Sequence, residues 1–182
     1  LLLVSMIPTA LLGYTARRLV VLAADSVLIP SAGLLVTGIV LLVIDLARTG
    51  GTKAAKDANL SDAMWIGLCQ GISVFPGLSR SGLTISAGLM SGFSRTFAVK
   101  YSYILSIPAI IGSLIMELGQ FGSPAMTVGL GFAYVLGMIV SGVTAFFVIR
   151  YCLKLVHKGR FRVFAIYCFV IGLVTLIINH ML

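Results

Sequence analysis

The chain has 182 residues, 59% of them apolar and only 10% charged, with a mean hydropathy of +1.13 and a formal net charge of +8. Ordinary soluble domains carry about 25% charged residues, so the composition excludes a water-facing globule, a disordered chain and a secreted disulfide scaffold. A nucleic-acid-binding module is excluded too, because the 13 Lys and Arg are scattered between apolar runs and build no single basic face; the sequence belongs in a bilayer.

The chain opens LLLVSMIPTALLGY, with neither an initiator Met nor a basic flank. A signal peptide would have a charged start and a small-residue cleavage site, so the expectation is a fragment whose N-terminus lies upstream. A spanning helix needs about 20 mostly apolar residues. Leu1 to Ala16 reads as the end of one, and Val27 to Leu46, Phe97 to Leu118, Thr127 to Ile149 and Val163 to Ile178 read as four more. Ser61 to Gly92 is too polar and Gly-rich for a plain span; it predicts two short helices, about Asp62 to Val74 and Ser79 to Met90, broken at Pro76-Gly77. Irregular backbone at membrane depth survives only inside protein or along a wet cavity. A broken pair of half-helices therefore points to a binding site.

Charge favours a hairpin that dips in and returns. In that arrangement Arg48, Lys53, Lys56, Arg95, Lys100, Arg150, Lys154, Lys158, Arg160 and Arg162 gather on one side, ten against Arg17 and Arg18 on the other. A crossing segment gives nine against three, so the preference is slight. The basic loops, RYCLKLVHKGRFR above all, then face the cytoplasm.

Pro76-Gly77-Leu78-Ser79-Arg80-Ser81-Gly82 opens the second half-helix. Ser79 suits an N-cap, and the free N–H groups of a helix start attract anions, with the macrodipole adding about half a positive charge. Arg80 brings a guanidinium that forks onto two phosphate oxygens, and Ser79 and Ser81 bring hydroxyls. These three are the expected catalytic residues, with Gly77, Gly82 and Gln70 as substrate-binding positions. The competing reading of Arg80 is a helix-end residue snorkelling to the headgroups; against it, an intramembrane Arg costs at least roughly 2.5–3.5 kcal/mol. For the serines the alternative is capping or back-bonding alone, and for Gln70 it is interhelical packing.

Gly67 with Gly71, and Gly88 with Gly92, are small-xxx-small pairs that predict close helix packing. Asp45 and Glu117 are expected at the solvated interface, and Pro108 to kink its span with Ser102 and Ser106 satisfying the freed carbonyls. Cys69, Cys152 and Cys168 lack metal-ligand spacing and read as reduced packing residues, and His157 and His180 lie far apart, so no metal ligands are assigned.

PGLSRSG, followed by GLMSGFSRTFAVKYSYILSIPAIIG and preceded by Gln70-Gly71, closely resembles the undecaprenyl-diphosphate phosphatase family, bacterial membrane enzymes linked to bacitracin resistance. The resemblance implies an all-α, polytopic, inverted-repeat bundle: residues 1–46 as the last two spans of repeat one, 47–60 as a cytoplasmic loop, and 61–182 as repeat two, with a re-entrant hairpin at 61–92 and three spans. It implies a polyprenyl diphosphate substrate held among membrane lipids of the bacterial inner membrane, and admits a homodimer. The family's Glu-x-x-x-Glu pair and Ser-Ser-Thr-Gly-His stretch have no match here, so a divalent cation (Mg or Ca) is expected on residues outside this chain. The fragment alone is expected to be inactive, and the attacking group stays open among a serine, a histidine and a water. The related-looking acid-phosphatase-like lipid phosphatases need a His soon after Ser-Arg, and none follows Ser79-Arg80 or Ser94-Arg95. The non-enzymatic alternative is a transporter or flippase for a phosphorylated lipid, which uses the same architecture.

Overall fold

The computed structural model describes residues 1–47, 50–117 and 128–181, without the side chains of Ala24, Glu117, Val128, His157 and His180. Arg48, the expected span ends at Leu118 and Thr127, and the side-chain roles of Glu117 and the two histidines lie outside what is described. Eight helices follow one another: α1 (Leu2–Thr15), α2 (Arg17–Ala24), α3 (Leu28–Leu46), α4 (Leu60–Ile72), α5 (Arg80–Met90), α6 (Arg95–Glu117), α7 (Val128–His157) and α8 (Phe161–Met181). The described residues form no strand, and α3, α6, α7 and α8 are each long and apolar enough to cross a membrane. α1 and α2, bent by 60° at their junction, make a fifth span if they are taken together.

Two elements differ from the sequence expectation. RYCLKLVHKGRFR is mostly not a loop: α7 runs on to His157, and Gly159, at φ +67, helps form the turn into α8. Residues 150–157 favour helix once their charges have somewhere to lie; the Arg150 guanidinium stacks over the Phe146 ring at 4.3 Å, while Cys152 and Val156 turn towards α8. The other is α2, whose Arg-Arg start carries no spanning-helix signal.

Helices in lipid gain no hydrophobic driving force from one another, so they meet through small residues and polar contacts. On α4, Gly67 lies against the Ser5 backbone and Gly71 against Leu12, which brings α1 alongside in the same direction. The Ser5 hydroxyl donates to Ala63 O at 2.7 Å and shares a 2.7 Å bond with Tyr101 of α6, and Thr9 donates to Gly67 O at 3.0 Å. On the opposite flank Gly38 receives the Phe169 ring, Gly172 meets Leu35, and Ser31 and Thr175 pair at 2.8 Å, joining α3 to α8. Such interhelical bonds average about 0.6 kcal/mol, so they fix register more than they supply stability. Between the flanks lies a core of Leu41, Ile44, Ile66, Ile85, Phe93 and Leu105, with Phe93, Phe97 and Tyr101 ring to ring.

Asp45 does not sit in the solvated interface. Its carboxylate, 7% exposed, accepts from the N–H of Phe161 at 2.9 Å and of Arg162 at 3.3 Å, and pairs with the Arg162 guanidinium. A buried anion at a helix start contributes up to about 2 kcal/mol, so Asp45 locks α8 onto the end of α3.

α4 and α5 fold back on each other, and their open ends are stitched together. Gly51 N–H donates to Phe93 O, Lys53 N–H to Gly92 O and Ser94 N–H to Lys53 O, all within 3.1 Å. Gly50 and Gly159 both lie against Arg95, so the segments before α4, after α5 and between α7 and α8 share one end of the bundle. The hairpin tip points towards the other end, where α1 meets α2.

Candidate functional site

The tip is built by the sequence that breaks the helix. Ile72 ends α4, tight turns follow from Val74 N–H to Gly71 O and from Leu78 N–H to Phe75 O, and Gly77 takes φ +84, which only glycine adopts easily. A Cβ on Gly77 would run into the Pro30 backbone, and one on Gly33 into Pro76 and Gly77, so the turn rests directly on α3. Thr37 fastens it there. Its buried hydroxyl accepts the Ser79 N–H at 3.0 Å and lies 3.0 Å from Gly33 O and 3.4 Å from Gly77 O, to either of which it donates.

Ser79 is the N-cap of α5, as its position in the motif predicts: its side chain accepts the Gly82 N–H at 3.1 Å. With the Ser79 and Gly82 amides engaged, the N–H groups of Arg80 and Ser81 are the donors of the first turn without an acceptor among the described hydrogen bonds. Two adjacent unpaired amides at a helix start, with the dipole behind them, attract an anion.

The side chains of the motif do not all share one cavity. Successive residues on a helix turn by about 100°, and α5 begins as a wall between two hollows. Gly77, Ser79, Ser81 and Gly82 border an open, largely apolar cavity of about 560 Å3, lined also by α3, α7, α8 and Tyr103. Arg80 and Gln70 border the second, of about 750 Å3, between α1, α2, the end of α4 and the latter half of α6. The serine and arginine side chains thus approach the α5 terminus from opposite sides, and the free amides between them are the shared element.

Gln70 is 1% exposed, and neither end of its carboxamide has a protein partner. Ser73 beside it donates to the Gln70 backbone carbonyl at 2.6 Å, leaving the side-chain amide unsatisfied. A buried unmatched polar group costs about 1–3 kcal/mol, so the carboxamide is kept at a cost the helix contacts do not explain. Neither serine takes the role expected of it, since Pro108 frees the Ile104 carbonyl: Ser106 back-bonds to Tyr103 O at 2.6 Å, and Ser102 pairs across to Thr84 of α5 at 2.6 Å. Of the glycine pairs, Gly67, Gly71 and Gly88 are close-packing sites, while Gly92, at φ +86, belongs to the turn after α5.

Thr37, which seats the turn, and Arg17, which borders the Arg80 cavity, are the residues that sequence reasoning passed over. Thr37 was visible only as a polar residue in an apolar span, and Arg17 only as a topology charge. Among the described residues no group of three His, Cys, Asp or Glu could hold a metal ion. The Gln70 carboxamide offers one neutral oxygen, so the residues present do not fit a divalent-cation site.

A multi-pass all-α membrane protein with an anion-attracting helix start at the tip of a broken hairpin is the class these features define. The model of the bacitracin resistance protein BacA matches residues 1–174, and the chain belongs to that family. Curated relatives named undecaprenyl-diphosphatase come from Desulforapulum autotrophicum (41% identical, 97% of this chain and 63% of the relative), Desulfosudis oleivorans (39%, 97% and 63%) and Halothermothrix orenii (34%, 98% and 68%). The chain thus spans about 63% of the length of the first of them.

Proposed function

We propose that the protein of which this chain is part hydrolyses undecaprenyl diphosphate to undecaprenyl phosphate and inorganic phosphate, recycling the lipid carrier of cell-wall synthesis and giving bacitracin resistance. The observation that carries this reading is the α5 start: two free amides, Arg80, and the hydroxyls of Ser79 and Ser81 at a helix break in a chain of this family. A diphosphate needs positioning and charge neutralisation before anything attacks it. The free amides and Arg80 take the charge that develops on the transferring phosphoryl oxygens, and the apolar cavity beside Ser81 receives the start of the prenyl chain. The attacking group, a serine, a histidine or water, adds at the terminal phosphorus, the anhydride P–O bond breaks with the lipid monophosphate leaving, and the phosphoryl group ends on water as inorganic phosphate.

The division into repeats follows from the same reading: 1–46 closing repeat one and 61–182 forming repeat two, with 61–92 re-entrant in the bacterial inner membrane. The stitched hairpin ends support re-entry, and the positive-inside rule turns the basic end to the cytoplasm and the Arg80 cavity outward. The carboxylates for a divalent ion lie outside these 182 residues, and the isolated chain is inactive. Membrane lipids and a second copy of the chain are its further partners.

The test is phosphate release from undecaprenyl diphosphate by the purified full-length protein, by the 182-residue chain alone, and by Arg80→Ala and Arg80→Lys in the full-length background. Release is expected only from the full-length parent, with both variants depressed at least about a hundredfold, the scale of losing one preorganised charge donor. Near-parental Arg80→Lys would show that a point charge suffices. Two cavities flanking one anion site also suit a carrier of a phosphorylated lipid; movement of intact diphosphate across vesicles without phosphate release would favour that reading.

A further inference from the structure

The cavity of about 750 Å3 beside Arg80 is lined mostly by apolar side chains, but it carries a second cationic residue besides Arg80. At its rim stands Arg17, the exposed first residue of α2. Because α1 runs beside α4 in the same direction, Arg17 lies beyond the hairpin tip, at the end opposite the stitched basic segments. The described ion pairs are Lys53–Asp62 and Arg162–Asp45; neither Arg17 nor Arg80 belongs to one. The buried, unpartnered Gln70 borders the same hollow, with Tyr14 and Ser113. Two unpaired guanidiniums and an unsatisfied carboxamide around one cavity match a small multivalent anion. The neighbouring cavity, with no Lys or Arg on its border, does not.

We propose that this cavity is a phosphate vestibule, in which Arg17 forms a second phosphate contact between Arg80 and the outer end of the bundle. The inference rests on the hydrolytic reading and names the route of its product. A phosphate dianion leaving Arg80 meets Arg17 before it meets solvent, so the second cation lowers the barrier to release. The same chemistry suits the terminal phosphate of an arriving substrate.

The probe is inorganic phosphate, used as an inhibitor of undecaprenyl diphosphate turnover by the full-length protein, with Arg17→Ala, Arg17→Lys and Arg18→Ala compared with the parent. Arg18 does not border the cavity and serves as the charge control. Arg17→Ala is expected to raise the inhibition constant for phosphate about tenfold, the scale of one charge-assisted contact, with Arg17→Lys intermediate and Arg18→Ala unchanged. A parallel rise in KM would mean that the substrate's terminal phosphate docks there as well, and an unchanged KM that free phosphate alone does; both support the vestibule. Parental inhibition in Arg17→Ala, or equal weakening in Arg17→Ala and Arg18→Ala, would overturn it. Should the parent show no turnover, the hydrolytic reading fails instead, and phosphorus NMR line broadening of inorganic phosphate by parent and variants still decides whether Arg17 binds it.

Discussion

At the scale of single residues, the site depends on a side chain that borders neither cavity. Thr37 is fully buried in α3 and holds the Ser79 amide and the turn carbonyls in place, so it sets where the α5 start stands. Thr37→Val keeps the shape but removes the bonds. Stability should fall by about 1 kcal/mol, and turnover about tenfold or more, since small displacements of positioning groups are costly. Thr37→Ser should restore most of the turnover; parental kcat in Thr37→Val would show that packing alone seats the turn. The Ser79 cap and the place of Arg80 at a helix start were legible, because Pro-Gly followed by Ser-Arg-Ser-Gly dictates a break and then a cap. Thr37 was not, because a threonine within a span ordinarily back-bonds to its own helix. Thr37 has that option at Gly33, and only the fold brings Ser79 to its other side. Asp45 was misjudged for a related reason: a carboxylate at a span end favours water unless another helix begins there, and α8 does.

Among the elements, α3 is the anvil for the hairpin. Gly33 touches the backbone of Pro76 and Gly77, where no side chain can yield, so Gly33→Ala must push the turn away. A cost of about 1–3 kcal/mol, typical of overpacking, is expected in thermal melts, together with a loss of turnover larger than the stability change explains. A variant that melts lower yet turns over normally would separate the seat from the chemistry. Helix existence could be read well: apolar runs of spanning length and the Pro-Gly break place most elements within a few residues. Extents could not, as α7 shows, because Arg150 can lie over Phe146 and let the helix continue past the apolar run. α2 went unread for the opposite reason, since eight residues beginning Arg-Arg have neither spanning length nor a capping signal.

For the molecule as a whole, both ends of the hairpin lie at one end of the bundle, which charge counting alone favoured only slightly. Single cysteines at exposed Lys56 and Thr96, before α4 and after α5, are therefore expected to react with a membrane-impermeant thiol reagent from the same side, the cytoplasmic one. Labelling from opposite sides would mean that the segment crosses. Arg18→Cys should react from the other face. The pairing of α3 with α8 has a consequence for synthesis as well. Ser31 and Thr175 meet across 144 positions, and Asp45 waits for Phe161 across 116. A ribosome delivers α3 well before its clamp, so the platform beneath the hairpin turn is secured only once α8 has emerged. Until then the nascent protein holds a finished hairpin on an unfinished foundation, and the start of α5 is seated only when α8 docks.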